Sequence, residues 1–205
     1  GRNPARRDRV VIATKFYGNM YPGDPNGGGS SSKSIHAACE QSLRRLQTDY
    51  IDLYWMHCWD RYTPIEETMR ALDDLVRAGK VRYIGFSDTP AWKTVEAHVT
   101  AKLRGWTPLT ALQLEYSLIQ RTIEGELIPA AIELGMGIAS WAPLKSGVLR
   151  SDRYDFDFTE IVPVWDGFKG MIRDDLYEVS EMAVVTYLLS RAHGREIVLL
   201  PAPMF

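Results

Sequence analysis

The sequence predicts an α/β fold, in which the strands of a parallel sheet alternate with helices along the chain. Three observations predict it. Short apolar runs rich in β-branched residues recur along the 205 residues, segments with helical periodicity separate them, and polar or aromatic residues follow most of the runs. Strands buried on both faces are continuous apolar runs, and alternation with helices is typical of parallel strands.

The bulk composition is ordinary for a soluble protein with one core. Apolar types make up 45% and charged types 24% of the chain, which predicts a single domain over residues 1–205. The net charge of −2 gives no broad attraction for nucleic acid or an anionic membrane, so neither is an expected partner. No apolar run approaches the roughly 20 residues that span a bilayer, and the basic start lacks the apolar core of a secretory leader. A cytoplasmic location is therefore expected.

The first predicted unit is strand, helix, strand. Val10–Lys15 is a β-branched run that ends in a polar residue, as a strand buried on both faces does when it reaches the surface. A loop rich in Gly and Ser follows, over residues 27–32, and is interpreted as mobile because it lacks the P-loop ending. The next helix is indicated by apolar residues at helical spacing, at Ile35, Cys39, Leu43 and Leu46. Ile51–Met56 is the second strand, directly before His57.

The next unit begins at Thr63-Pro64-Ile65-Glu66, where an N-cap, a first-turn proline and a capping-box glutamate stand in order. Gly79 is predicted to end this helix, and Val81–Phe86 is the third strand. Thr89-Pro90 opens another helix, which Gly105 ends. The apolar stripe predicted for it is Val95, Val99 and Leu103.

Two further strands, Ala111–Tyr116 and Gly137–Trp141, flank a helix predicted over Ile123–Leu134. The alternation of predicted strands and helices then stops. Residues 150–170 are aromatic, acidic and rich in turns, so they are either a long functional loop or a place where residues are absent from the sequence. A helix over about Asp174–Arg191 and a strand over Ile197–Leu200 complete the prediction.

Closure of the sheet into a (β/α)8 TIM barrel is favoured over an open, doubly wound sheet. No G-x-G-x-x-G turn follows any predicted strand, and polar residues recur at the carboxyl ends of strands, where barrel sites lie. The open sheet shares much of the pattern and stays the alternative. The predicted strands number two fewer than the eight of a barrel.

Several segments resemble the aldo-keto reductase family. Val11–Lys15 resembles the family strand that ends in the catalytic lysine, and Asp49–His57 the strand that ends in the catalytic histidine. Gly79–Asp88 resembles the signature G-K-x-R-x-I-G-x-S-N, with Asp88 in place of the asparagine. Gln113–Ser117 and Trp141–Leu149 resemble two strand ends that contact the cofactor, whereas residues 150–194 match poorly.

The resemblance implies reduction of an aldehyde or ketone to an alcohol by hydride transfer from NADPH. In that reaction Lys15 would lower the pKa of a proton-donating tyrosine, and His57 would hold the carbonyl oxygen of a small carbonyl substrate. The residues implied to bind NADP are Ser87, Asp88, Gln113, Trp141, Pro143, Leu144, Ser146 and Gly147.

These cofactor residues have different implied roles. The first three would clamp the nicotinamide carboxamide, Trp141 would stack on the ring, and the last four would shape the loop under the pyrophosphate. Asp88 departs from the pattern, because an ionised carboxylate accepts hydrogen bonds but cannot donate to an amide oxygen as asparagine does.

Further departures lie at the ends of the sequence. The resemblance implies two strands before Gly1, carrying a catalytic aspartate and tyrosine, and a phosphate-binding segment where Pro201–Phe205 stand. A barrel without its first two strands exposes two strand edges. The sequence is therefore expected to belong to a longer molecule, or to pair with another chain as in a homo-oligomer.

Structural alternatives accompany these interpretations. Lys15 and His57 could be solvated polar residues at strand ends, and Trp141 could be packing at a barrel rim. Trp55 and Trp59 either line a substrate pocket or belong to the core. A non-catalytic, nicotinamide-binding or regulatory protein of the same family is the alternative function.

Other chemistry-bearing residues carry weaker signals. A metal site at His57, Cys58 and Asp60 is disfavoured, because adjacent strand residues point to opposite faces and no second pair of ligands follows. Cys39 and Cys58 form no C-x-x-C pair and are expected to be reduced thiols. His98 is expected at the surface.

Overall fold

The computed structural model describes residues 4–145, in which helices and strands alternate as predicted. The helices are α1 (Pro4–Arg7), α2 (Ser32–Leu46), α3 (Ile65–Arg77), α4 (Ala91–Arg104) and α5 (Leu127–Leu134). The strands are β1 (Ala13–Phe16), β2 (Ile51–Met56), β3 (Val81–Ser87), β4 (Ala111–Glu115) and β5 (Gly137–Trp141). The helix and strand predicted after residue 170, and the irregular stretch before them, lie outside the described residues.

All five strands are parallel and lie in the order β1-β2-β3-β4-β5. Each of the strands β1 to β4 is followed by a helix and then by its own neighbour in the sheet, which is the winding of a (β/α)8 barrel. A doubly wound sheet reverses its strand order at a switch point, and no reversal occurs among these five strands. The α/β prediction is confirmed, and the sheet has the strand order of a partial barrel.

The core lies between the sheet and its helices. Ile35 and Cys39 of α2 are fully buried, as the helical spacing predicts. The Tyr54 ring packs against Phe16, with the ring centroids 5.0 Å apart, and its hydroxyl donates to the carbonyl oxygen of Ile35 at 3.4 Å. Tyr54 thereby joins β2 to both β1 and α2. Both cysteines are free thiols.

The predicted start of the first strand is wrong. Strand β1 begins at Ala13, and Val10 and Val11 precede it, with Val11 77% exposed. The cause is a polar network: Asp52 accepts a hydrogen bond from the Ile12 N–H at 2.8 Å and pairs with Arg7 at 2.7 Å. Within residues 4–145, β1 also has a neighbouring strand on one side only, so its other edge has no strand partner there.

The predicted capping box at Thr63 is also wrong. Helix α3 begins at Ile65, and the Thr63 hydroxyl donates to Asp60 Oδ2 at 2.8 Å instead of capping the helix. Glu66, the predicted partner of the box, pairs with Arg104 of α4 at 3.1 Å. The helix lies where the sequence predicts it, but the hydroxyl of the predicted capping residue is hydrogen-bonded to a nearby carboxylate.

Helix α4 buries a different face from the predicted one. Leu103 is 82% exposed and Val99 is exposed as well, whereas the buried residues are Thr94, Ala97, His98 and Ala101. Small side chains on this face let the helix lie close to the layer beneath it, which outweighs the burial of larger apolar residues. The surface position expected for His98 is therefore wrong, and burial lowers its pKa.

The single helix predicted over residues 123–134 is divided. A 3₁₀ turn covers Thr122–Glu124, and α5 begins only at Leu127, after Gly125. The Tyr116 hydroxyl donates to Glu124 Oε1 at 2.6 Å and holds this turn against the end of β4.

Strand β3 requires a glycine at position 85. A Cβ atom there would lie 2.4 Å from Cζ3 of Trp55 and 2.7 Å from the carbonyl oxygen of Ala111. The Trp55 indole therefore lies directly against the β3 backbone, which only glycine permits. Trp55 is almost fully buried, so of its two predicted roles the structure supports the core.

Candidate active site

One face of the sheet carries the predicted catalytic lysine. The strand register pairs Lys15 with Trp55, Trp55 with Gly85, and Gly85 with Ala111. Residues paired across parallel strands point to the same face, so these four positions form one row across four strands. Lys15, half-buried, stands at the β1 end of that row.

A second row lies two residues further toward the carboxyl ends of the strands. Ser87 pairs with Gln113, and Gln113 with Ala139. His57 directly follows β2, and its N–H donates to the carbonyl oxygen of Phe16 at 3.2 Å, which continues the ladder by one residue. Because side chains alternate along a strand, His57, Ser87 and Gln113 lie on the same face as Lys15. All four residues are predicted site residues, and the strand register places them on one face of the sheet, at or near the carboxyl ends of the strands.

Three of these side chains are not engaged elsewhere in the fold. Within residues 4–145, the Lys15 ammonium, the His57 ring and the Gln113 amide form no side-chain hydrogen bond or ion pair. Gln113 and Lys15 are half-buried, and His57 is exposed. Polar side chains without partners in the described residues remain available to a ligand at this face.

Asp88 and Trp141 are joined directly. The indole Nε1–H of Trp141 donates to Asp88 Oδ1 at 3.0 Å, although the two residues follow or end different strands. The other carboxylate oxygen, Oδ2, lies 3.5 Å from the Ser87 hydroxyl, which is the longest contact of the group. The Asp88 N–H donates to the Gln113 carbonyl oxygen at 3.2 Å. The predicted carboxamide clamp and the predicted stacking residue therefore form one network.

The pKa of the Cys58 thiol is affected by the charges of Lys15 and Asp88. Burial raises the pKa of Cys58, the negative charge of Asp88 raises it further, and the positive charge of Lys15 lowers it. Charges act on a group in this way only at short range. Cys58 therefore lies within electrostatic range of both Lys15 and Asp88, at a position that the sequence analysis considered only as a free thiol or a weak metal ligand.

Backbone strain is concentrated at the same edge. Tyr17 (φ +105°), Asp88 (φ +44°) and Ala142 (φ +49°) follow the carboxyl ends of β1, β3 and β5. Left-handed φ in a residue with a side chain costs about 1–3 kcal/mol and is common at functional sites. Aspartate tolerates this region better than most residues, so Asp88 is compatible with it, whereas Tyr17 and Ala142 gave no sequence signal for it.

Asp60 anchors the loop over residues 27–32 beside this edge. Its carboxylate accepts hydrogen bonds from the Ser30 N–H at 2.9 Å, the Tyr62 N–H at 3.0 Å and the Thr63 hydroxyl at 2.8 Å. Burial alone would raise the pKa of Asp60, but these hydrogen bonds outweigh it and the pKa is lowered. The role of Asp60 in the described residues is therefore structural.

Only some of the remaining predicted cofactor residues lie within the described part of the chain, which ends at residue 145. Pro143 and Leu144 are exposed in the turn after β5, and Lys145 of the same turn pairs with Glu115 at the end of β4, at 2.5 Å. Ser146 and Gly147 lie outside the described residues. The ion pair at Lys145 holds the turn to β4, a contact that sequence reasoning missed because neither residue has a recognisable spacing.

Two further properties concern residues 4–145 only. No group of three or more His, Cys, Asp or Glu side chains there is arranged to hold a metal ion. No helix of that part has the length and apolar character of a membrane-spanning segment.

Comparison with known proteins gives one family match over most of the chain. The sequence model of the Aldo/keto reductase family matches residues 1–161. This range includes every predicted site residue from Lys15 to Gly147, and ends within the stretch that the sequence predicts to be irregular.

Curated relatives match over a similar part of the chain. An uncharacterized oxidoreductase of Bacillus subtilis is 46% identical over 149 residues, which are 70% of this chain and 45% of the relative. An aryl-alcohol dehydrogenase [NADP(+)] of Phanerodontia chrysosporium is 41% identical over 155 residues, 71% of this chain and 40% of the relative. A norsolorinic acid reductase of Aspergillus flavus is 41% identical over 150 residues, 71% of this chain and 39% of the relative. The chain thus spans less than half the length of these relatives.

Proposed function

Because the chain belongs to the aldo/keto reductase family, we propose that its protein reduces an aldehyde or ketone to an alcohol with NADPH. The observation that carries the proposal is the set of polar side chains at the carboxyl edge of the sheet, namely Lys15, His57, Ser87 and Gln113, which share one face. One relative is named for NADP(+) and for aryl alcohols, so aryl aldehydes are the proposed substrate class.

The polar groups of this edge fit a nicotinamide carboxamide. The Gln113 amide both donates and accepts, and the Ser87 hydroxyl does the same. Asp88 offers only acceptors, and Trp141 already occupies Oδ1, which leaves Oδ2 for an amide NH2. In the proposal, Gln113 or Ser87 supplies the donor to the amide oxygen, the role that asparagine would fill in place of Asp88. When bound, the cofactor supplies the hydride.

The two proposed catalytic residues act on the proton and the carbonyl. His57, exposed at the end of β2, would donate a hydrogen bond to the carbonyl oxygen and hold it in line for reduction. The Lys15 ammonium would favour the ionised form of the proton-donating tyrosine that the family resemblance implies. Both functions need side chains without competing partners, as these two are within the described residues.

Asp88 also favours a second candidate, a nicotinamide-binding protein of the same family without turnover. A carboxylate that is committed to Trp141 can hold a carboxamide less completely than asparagine, so the cofactor could bind in a position unsuited to hydride transfer. This candidate predicts NADPH binding with no consumption of the cofactor.

The experiment follows NADPH absorbance while the full-length protein is mixed with benzaldehyde. Lys15→Met and His57→Ala are each expected to reduce kcat/KM by about 100-fold or more, the usual contribution of general acid–base groups. Lys102→Met and His36→Ala, which change the same residue types on α4 and α2, are the matched controls. Unchanged turnover in both site variants would contradict the assigned roles.

A binding measurement separates the two candidates. NADPH is titrated against tryptophan fluorescence, which Trp141 at the site is expected to report. Binding accompanied by aldehyde-dependent oxidation supports the reductase, and binding without oxidation supports the second candidate. Failure to bind NADPH contradicts both.

The proposal also includes a cytoplasmic location and a small carbonyl compound as the partner. Cys39 and Cys58 are both free, and the cytoplasm is the compartment that keeps such thiols reduced. Oxidation of both thiols in the protein isolated from cells, under conditions that prevent artificial oxidation, would argue against that location.

A further inference from the structure

Two tryptophans stand beside the candidate site without belonging to it. Trp59 is in the loop after β2, two residues beyond His57, and Trp92 is in the first turn of α4, four residues beyond Asp88. Their rings meet edge to face, with centroids 5.3 Å apart and an interplanar angle of 83°. The loop after β2 and the first turn of α4 both follow the carboxyl ends of their strands. The two tryptophans therefore lie on the side of the sheet where the strands end, as Lys15 and His57 do.

Lys93 fixes the geometry of this pair. Its ammonium lies 4.6 Å from the centroid of the Trp92 ring and 5.9 Å from that of Trp59, so one cation serves both rings. The Lys93 side chain is only 15% exposed, and Glu96 pairs with its ammonium at 2.5 Å. The cluster is therefore ordered by contacts on one side and carries no net charge.

Trp92 remains largely open to solvent. Trp59 is partly buried and packs against the core, whereas Trp92 is 57% exposed. An indole that contacts Trp59 and Lys93 and yet leaves more than half of its surface in water gains little from folding. It keeps a flat apolar surface available for another ring, to which rigid aromatic side chains bind at small entropic cost.

We propose that Trp59 and Trp92 form an accessory subsite for the distal aromatic ring of an extended aryl aldehyde or ketone. The proposal rests on the proposed function for the carbonyl end of the substrate, and adds a site for the opposite end. Because Glu96 neutralises Lys93, the subsite selects a neutral aromatic ring over a carboxylate. Trp92 supplies the open ring surface, and Trp59 and Lys93 hold it in place.

Two substrates that differ only in the distal ring test this subsite. 4-Phenylbenzaldehyde and 4-cyclohexylbenzaldehyde carry the same benzaldehyde group, so their carbonyls are of similar reactivity, but only the first has a distal aromatic ring. Contact between aromatic rings is worth about 2- to 10-fold in affinity beyond the burial of apolar area. The full-length protein is therefore expected to show a KM about 2- to 10-fold lower for the phenyl compound, with similar kcat.

The variants separate ring contact from general apolar contact. Trp92→Leu is expected to abolish the preference, and Trp92→Phe is expected to keep most of it. Leu103→Ala is the matched control, because Leu103 is an exposed apolar residue of the same helix at its opposite end. A preference that survives in Trp92→Leu overturns the proposal even if the enzyme is fully active.

A measurement without turnover keeps this inference independent of the proposed function. Binding of the two alcohols that correspond to these aldehydes is measured by calorimetry for the unaltered protein and for Trp92→Leu, in the presence of NADPH, which cannot accept a hydride from an alcohol. Tighter binding of the phenyl alcohol that is lost in Trp92→Leu supports the subsite, even if no aldehyde is reduced. Equal affinities of the unaltered protein for both alcohols overturn it, and failure of the aldehydes to oxidise NADPH contradicts only the proposed function.

Discussion

The indole N–H of Trp141 donates a hydrogen bond to Asp88 Oδ1 at 3.0 Å, so the end of β5 is tied to the end of β3 across β4. The acceptor is a charged oxygen, which makes this bond stronger than one to a neutral group. The backbone of Asp88 has a left-handed φ of +44°. The departure of Asp88 from the family signature thus coincides with a contact that orients Trp141.

Removal of the acceptor is expected to release the Trp141 ring. In Asp88→Ala the indole proton loses its partner, whereas in Asp88→Asn the amide oxygen can still accept it. The measurement is the Trp141 indole signal in ¹⁵N-tryptophan NMR spectra, assigned with Trp141→Phe. We expect faster exchange with water and an upfield proton shift in Asp88→Ala only. An identical signal in Asp88→Ala and the unaltered protein would contradict the hydrogen bond.

The reactivity of Cys58 is expected to report the charges of Asp88 and Lys15. Asp88 raises the pKa of Cys58 and Lys15 lowers it, so Asp88→Asn should increase the thiolate fraction at pH 8 and Lys15→Met should decrease it. The rate of alkylation by iodoacetamide should rise by a few-fold in the first variant and fall in the second. Cys39 is fully buried and does not compete. Lys102→Met serves as the control, and rates that do not change in either variant would place both charges far from Cys58.

Gly85 is expected to tolerate no side chain. In Gly85→Ala the new methyl would overlap Cζ3 of Trp55 and the carbonyl oxygen of Ala111, which are 2.4 Å and 2.7 Å from its position. Overpacking of this kind lowers the free energy of unfolding by about 1–3 kcal/mol. Gly137→Ala is the control, because Gly137 also pairs with Ala111 but its nearest neighbours would lie at 4.0 Å. Urea denaturation of both variants measures the difference, and equal losses would argue against the packing of Trp55 on Gly85.

Asp60 is expected to make stability depend on acid pH. Its folded pKa is lowered, so the unfolded chain binds a proton more readily than the folded one. The stabilisation is fully present above the unfolded pKa of about 3.9 and is lost as the pH falls through the folded pKa. Asp60→Asn should therefore cost about 1–3 kcal/mol at pH 7, and this cost should shrink as the pH is lowered toward 3.

The control for Asp60 is Asp74→Asn. Asp74 forms an exposed pair with Arg70 on α3, and such surface pairs contribute about 0–1 kcal/mol. The free energy of unfolding, measured in urea at several pH values, gives both effects. A difference between the unaltered protein and Asp60→Asn that is constant with pH would contradict the assigned role of the ionised carboxylate.

Much of the fold follows from local sequence signals. The five strands and the helices between them lie where apolar runs and helical spacing predict them, because a strand covered on both faces must be apolar along its length. The exact ends of the helices and strands are predicted less well from the sequence. Thr63 has the sequence of a capping residue, but it donates to Asp60, which stands three residues earlier and has its own loop to anchor. A threonine caps a helix only if its hydroxyl oxygen lies where a first-turn N–H can donate to it, and that position depends on the three-dimensional structure as well as on spacing.

The candidate site was likewise predicted only in part from the sequence. The sequence by itself determined the residue types at the strand ends, and its resemblance to a family selected Lys15, His57, Ser87 and Gln113. Only the tertiary structure decided that a hydrogen bond joins Asp88 to Trp141, that two opposite charges act on Cys58, and that the Trp59 ring contacts the Trp92 ring. The physical reason is that strand pattern and register depend on neighbours along the chain and across one ladder, whereas contacts between separate loops depend on how every strand end is placed in space.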